Sequence, residues 1–120
     1  MKRFVNHHEN GGSFTRNHSA SLRLLIESGA LTRLKSIQIM PISETDLVVK
    51  ALFQIKDDYH WHMLSEVTSD PNEAFFIGDT LIDCHEQMNP DDSIEMNKWR
   101  KAIANPQLYF ITGVSVYFGL

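Results

Sequence analysis

Three groups of side chains in this sequence have the types and spacing that chemistry uses. The first is His60-Trp61-His62. On a β-strand a period of two puts both imidazoles on one face, a geometry suited to a first-row metal. Trp61 then points to the core and the histidines point outward. A third ligand has to come from His85, Asp83, Glu86 or the His7-His8 pair. Neither His-x-x-x-His nor His-Glu-x-x-His spacing occurs, so a metal-dependent enzyme built on His60 and His62, with His85 as third ligand, is the second reading and not the first.

The second group is Cys84-His85. Adjacent side chains diverge by about 100° on a helix and about 180° on a strand, so this pair does not form a nucleophile–base dyad. The third is Gly11-Gly12-Ser13 with Thr15 and Arg16 ahead of a helix start. Backbone N–H groups there can hold an anion, yet no Gly-Lys-Ser/Thr follows as a nucleotide loop requires. Asp57-Asp58 and Asp91-Asp92 are paired carboxylates that lack calcium-loop spacing, and turn and helix-start roles explain them. No cofactor is expected.

Charge is distributed unevenly. The 120 residues carry a net charge of -4, but residues 1–35 hold six bases against two acids. No Lys or Arg lies between Lys56 and Lys98. Those 41 residues carry eleven carboxylates: Asp57, Asp58, Glu66, Asp70, Glu73, Asp79, Asp83, Glu86, Asp91, Asp92 and Glu95. Same-sign charges on a folded surface repel one another and create a directed field that steers a basic partner. Tyr59, Trp61, Phe75 and Phe76 lie in the same window, so it belongs to a folded body and not to a solvated tail.

These side chains need a scaffold, and the chain supplies one domain's worth. Hydrophobic residues make up 42% of it, enough for a core and against wholesale disorder. One cysteine excludes a disulfide framework and a Cys-rich zinc module. The helical spacing of Leu22, Leu25 and Ile26 predicts a helix over 18–28, with Gly29 at its C-terminal cap. Phe4-Val5 is a short first strand. Ile37 and Ile39 alternate with polar neighbours until Pro41 stops the run. Val49, Ala51, Phe53 and Ile55 alternate likewise, and Asp57-Asp58 turns the chain into a return strand. That strand carries Tyr59, Trp61 and Met63 on one face and His60, His62, Leu64 and Glu66 on the other. Ser69 to Asn72 is a turn, 74–77 reads as a strand, and 79–88 is ambiguous. Asn89-Pro90-Asp91-Asp92 opens a helix whose core stripe is Met96, Trp99 and Ile103, stopped at Asn105-Pro106. Residues 107–120 form the last strand, with a bulge at Gly113. The sum is a single α+β domain over 1–120: an antiparallel sheet of about five strands with two helices packed on it.

The expected function is that of a small acidic binding protein. It inhibits or neutralises a basic, nucleic-acid-acting protein (a nuclease, toxin or defence effector) as immunity proteins, antitoxins and anti-defence inhibitors do. Its contacts are Asp57, Asp58, Glu66, Asp70, Glu73, Asp79, Asp83, Glu86, Asp91 and Asp92, with Tyr59 and Trp61 as apolar anchors. The acidic balance argues against direct nucleic-acid contact. No stretch has the length of a membrane helix and no export signal is legible, so a cytoplasmic setting is expected. A third reading is a structural or assembly subunit that self-associates, as a homodimer, through the uncharged final strand.

Overall fold

A computed structural model describes residues 28–119. The Phe4-Val5 strand, the helix over 18–28 and the Gly11-Gly12-Ser13 loop lie outside the described residues, as do His7 and His8.

Strand β1 (Leu31–Pro41) is long because Leu31, Leu34, Ile37 and Ile39 all reach the core. Two register irregularities permit this. Thr32 and Lys35 are each an extra residue against β2, so the inward set moves from 31 to 34 to 37 where strict alternation would fail. Pro41 ends the strand as the sequence predicts. The Ser43 hydroxyl then accepts from the N–H groups of Thr45 and Asp46, closing a tight loop. Strand β2 (Leu47–Ile55) buries Val49, Ala51 and Phe53, in the expected alternation.

Strand β3 (His62–Thr68) corrects the sequence reading. Phe53 pairs with His62 and Ala51 with Leu64, so His62, Leu64 and Glu66 face inward and Met63 faces outward. The connection from β2 takes residues 56–61, with Asp57 in the left-handed region at φ 64°, so it is longer than a two-residue turn.

Residues 74–77 are not a strand. They belong to helix α1 (Pro71–Met88). Asp70 is its N-cap and accepts from the Asn72 N–H at 2.9 Å, Pro71 fills the first turn, and Glu73 adds negative charge where the dipole favours it. Ala74, Ile77, Gly78, Leu81, Ile82 and His85 form its buried stripe at spacings of three and four. At Gly78 a Cβ would stand 3.2 Å from the Ile103 Cδ1 atom, so the missing side chain sets how closely α1 approaches.

After a 3-10 turn at Pro90–Asp92 comes helix α2 (Ser93–Ala102). Ten residues do not hold a helix in water by themselves. Met96 and Trp99 bury fully, each side chain contributing about 2 kcal/mol or more. The buried Tyr109 hydroxyl donates to the Ile103 carbonyl just past the helix end, and burial pushes its pKa up to about 12. The last strand is much shorter than expected. Residues 106–112 form a 3-10 turn and further turns, Gly113 takes φ 64°, and only β4 (Val114–Tyr117) is extended.

The sheet order is β3-β2-β1-β4, antiparallel throughout. Its inward side and the two helices share one core that runs from Leu34 and Phe53 through Leu81 to Trp99 and Tyr109. The α+β class is therefore as the sequence predicts, with four strands in the described residues. No helix there is long and apolar enough to cross a membrane.

Two glycines test this backbone. Both are left-handed, but Gly29 has nothing near its absent Cβ. At Gly113 that atom would stand 3.1 Å from the Ile39 carbonyl oxygen and 2.7 Å from the Met40 sulfur. Gly29→Ala should cost about 1 kcal/mol and Gly113→Ala about 3 kcal/mol, read from urea-unfolding midpoints.

Candidate functional site

The carboxylates of the base-free window do not gather on one surface. At the β2–β3 connection, Asp58 Oδ1 accepts from the His60 N–H at 2.9 Å and pairs with His60 Nδ1 at 3.0 Å; Oδ2 meets His62 Nε2 at 3.0 Å. The His60 N–H, with smaller contributions from the two imidazoles, draws the Asp58 pKa from 3.8 to about 2. Asp57 beside it is exposed. Asp70 and Glu73 sit at the opposite end of the sheet, one capping α1 and the other accepting from the Thr68 hydroxyl at 2.9 Å. Glu66 is buried in the core face of β3.

Asp79, Asp83 and Glu86 share one side of α1, and Arg100 from α2 stands against all three. Its Nη2 meets Asp83 at 2.6 Å and also donates to Glu86, and its Nε lies 3.9 Å from Asp79. Partial burial and the Asp83 charge push the Asp79 carboxyl up, against the pull of Arg100. Asp92 accepts from His85, while Asp91 is exposed. Of the two aromatic anchors, Tyr59 is 83% exposed and stacks on the His60 ring. Trp61 is half-buried, with the Lys35 ammonium over its ring.

The histidines do not converge. His60 lies in the connection before β3, His62 is buried, and what joins them is Asp58. His85 is used at another place. Strand β4 pairs with β1 only over Ser36 to Ile39, which leaves the start of the β1 edge uncovered. There the Leu34 N–H donates to His85 Nδ1 at 2.9 Å, and Asn89 Nδ2 donates to the Thr32 carbonyl at 2.8 Å. Because Nδ1 accepts, the ring hydrogen sits on Nε2 and is donated to Asp92 Oδ2 at 2.8 Å. No group of three His, Cys, Asp or Glu among the described residues is placed to hold a metal. Cys84 is half-buried, and burial followed by the Asp83 charge pushes its thiol up, away from the thiolate.

The feature that sequence reasoning missed is the sheet face turned away from the helices. Pairing lays it out in rows. Val67, Val48 and Met40 cross it at one end; Ser65, Lys50, Gln38 and Ser115 follow; then Met63, Leu52, Ser36 and Tyr117. Arg33 pairs with outward Gln54 beyond them, and Lys35 reaches over the sheet to Trp61. Gln38 donates to the Ser115 and Tyr117 hydroxyls, which confirms the shared face. Val67 is 51% exposed and Tyr117 61%. None of these side chains belongs to the core cluster. Among the described residues the face carries three bases and no carboxylate. The signal was present in the alternation of β1 to β3, once the inward side is assigned correctly.

Comparison with family models, with curated proteins and with solved structures finds no match.

Two expectations follow from the buried contacts. His85→Phe keeps a planar ring, slightly larger, but removes both the acceptor of a buried N–H and the donor to Asp92, so urea unfolding should show a loss of about 1–3 kcal/mol or more. For Asp58 the folded pKa lies below the ordinary 3.8, so its contribution is complete above that value and is lost as pH falls towards 2. Unfolding midpoints of Asp58→Asn should start lower at neutral pH and fall less steeply across that acid window than those of the parent.

Proposed function

We propose that the protein is a non-catalytic binding module and that its recognition surface is the helix-free face of the sheet. The observation that carries this reading is the composition of that face. Val67 and Met40 in one row, and Met63, Leu52 and Tyr117 in another, flank the polar row of Ser65, Lys50, Gln38 and Ser115 with no described helix across them, in a domain whose core is already closed on the other side. Apolar side chains left on a surface in adjoining rows, with polar groups among them, are a signature of an interaction site.

The binding role read from the sequence is kept, but the contact surface is moved. Neutralising a basic partner through the carboxylates requires them to be open and together. Here Arg100 engages three, histidines engage two, and two serve the start of α1. Self-association through the final strand has less to work with, because β4 has four residues.

Affinity purification of tagged chains from the native cell separates the readings. A Val67→Glu/Tyr117→Ala variant that keeps the parent's circular dichroism should lose the co-eluting partner. An Asp83→Lys/Asp91→Lys variant should retain it. The reverse pattern would return the interface to the carboxylates.

A further inference from the structure

We infer that the occupant of this sheet face is an acidic polypeptide segment bearing aliphatic side chains. The inference rests on the binding-module reading and adds the partner's chemistry to it. The charge on the face is of one sign: Arg33, Lys35 and Lys50 stand on it, and no described carboxylate does. A chain with net charge -4 has nonetheless placed three bases on a sheet face that also carries Met40, Leu52, Met63, Val67 and Tyr117. Long basic side chains lay their methylene stems along apolar neighbours and hold the charge out to solvent, where it meets an incoming carboxylate: Lys50 from the middle of the face, Arg33 and Lys35 from its β1 end.

Other occupants fit less well. A second copy packed face to face would bring six bases together with no described acid between them. A nucleic-acid strand stacks its bases on open ring faces. Here the Trp61 ring is already covered by the Lys35 ammonium, and Tyr117 stands at the β4 border of the face as a single exposed ring, where a strand of bases needs several. The remaining apolar side chains that reach the surface are aliphatic: Met40, Leu52, Met63 and Val67 offer shape to Leu or Val side chains and no platform to a base.

The test uses the full chain, ¹⁵N-labelled, with three capped peptides of Leu and Ser that carry Glu, Gln or Lys at the same positions, and a thymidine oligonucleotide. Amide shifts should map the Glu peptide to the outward residues of β1, β2 and β3. Its affinity should exceed that of the Gln peptide about tenfold at low salt and converge on it as salt rises. Lys35→Glu/Lys50→Glu should weaken the Glu peptide about tenfold and admit the Lys peptide instead. Equal binding of the Glu and Gln peptides would overturn the acidic partner while leaving the face as the site. Tighter binding of the oligonucleotide would overturn it in favour of nucleic acid. Doubling of the mass in sedimentation, with the face protected, would overturn it in favour of a second copy. If no probe moves the face, the binding-module reading falls with it.

Discussion

An extended backbone cannot leave its amides unsatisfied inside a protein, and that requirement at the start of β1 fixes much of this molecule. Strand β4 stops short of Thr32 and Leu34. Two side chains four residues apart at the end of α1, His85 in its last turn and Asn89 at its C-cap, take over as a substitute strand. The imidazole has to be neutral at Nδ1 to accept, which hands its hydrogen to Asp92 and ties down the turn into α2. A single ring thus links the sheet edge, the end of one helix and the start of the next. With α1 held along β1, α2 closes over Trp99, and both helices commit to the same side of the sheet.

That commitment also decides where charge resides. Acids at 79, 83 and 86 fall on one flank of α1, and without Arg100 they would repel one another. Exposed pairs of this kind contribute little stability individually. Their consequence is electrostatic: the helical layer is partly neutralised from within, while the opposite surface keeps its bases unopposed by any described carboxylate. Among the described residues, acids therefore lie with the helices and Arg33, Lys35 and Lys50 with the opposite face, a separation that a net charge of -4 does not reveal.

How much of this is legible in the sequence depends on which physical question the residues answer. Alternation in β2 and the Met96/Trp99/Ile103 stripe each report a local preference that packing then reinforces, and they are realised. Asn89-Pro90 opens only a 3-10 turn, α2 starts at Ser93, and the Asn89 side chain goes to the Thr32 carbonyl instead of capping. Ala74-Phe75-Phe76-Ile77 misleads because a short apolar run has the same look in a strand and in a buried helix. The decisive mark was Asp70-Pro71, the same cap-and-proline signature as Asn89-Pro90. In β3 period two correctly groups His62 with Leu64 and Glu66, but periodicity does not say which group is inward. Two imidazoles and a carboxylate counted as polar outweighed one leucine, and the outward face was misassigned with them. The acidic window failed for a different reason. Arg100 lies just past its end, and a helical turnaround brings it back 14 to 17 positions onto Glu86 and Asp83. Distance along a chain is not distance in space.

The brevity of β4 has a consequence for life at high concentration. A sheet border that is long and flat acts as a template on which foreign strands polymerise. Here the border on the β1 side lasts four residues, starts at a left-handed glycine and gives way to helix side chains where another strand would continue to zip. An intruding chain finds too few amides in register to nucleate a fibril. On the β1 side the sheet is therefore closed to further strand addition after four residues; its other border is β3.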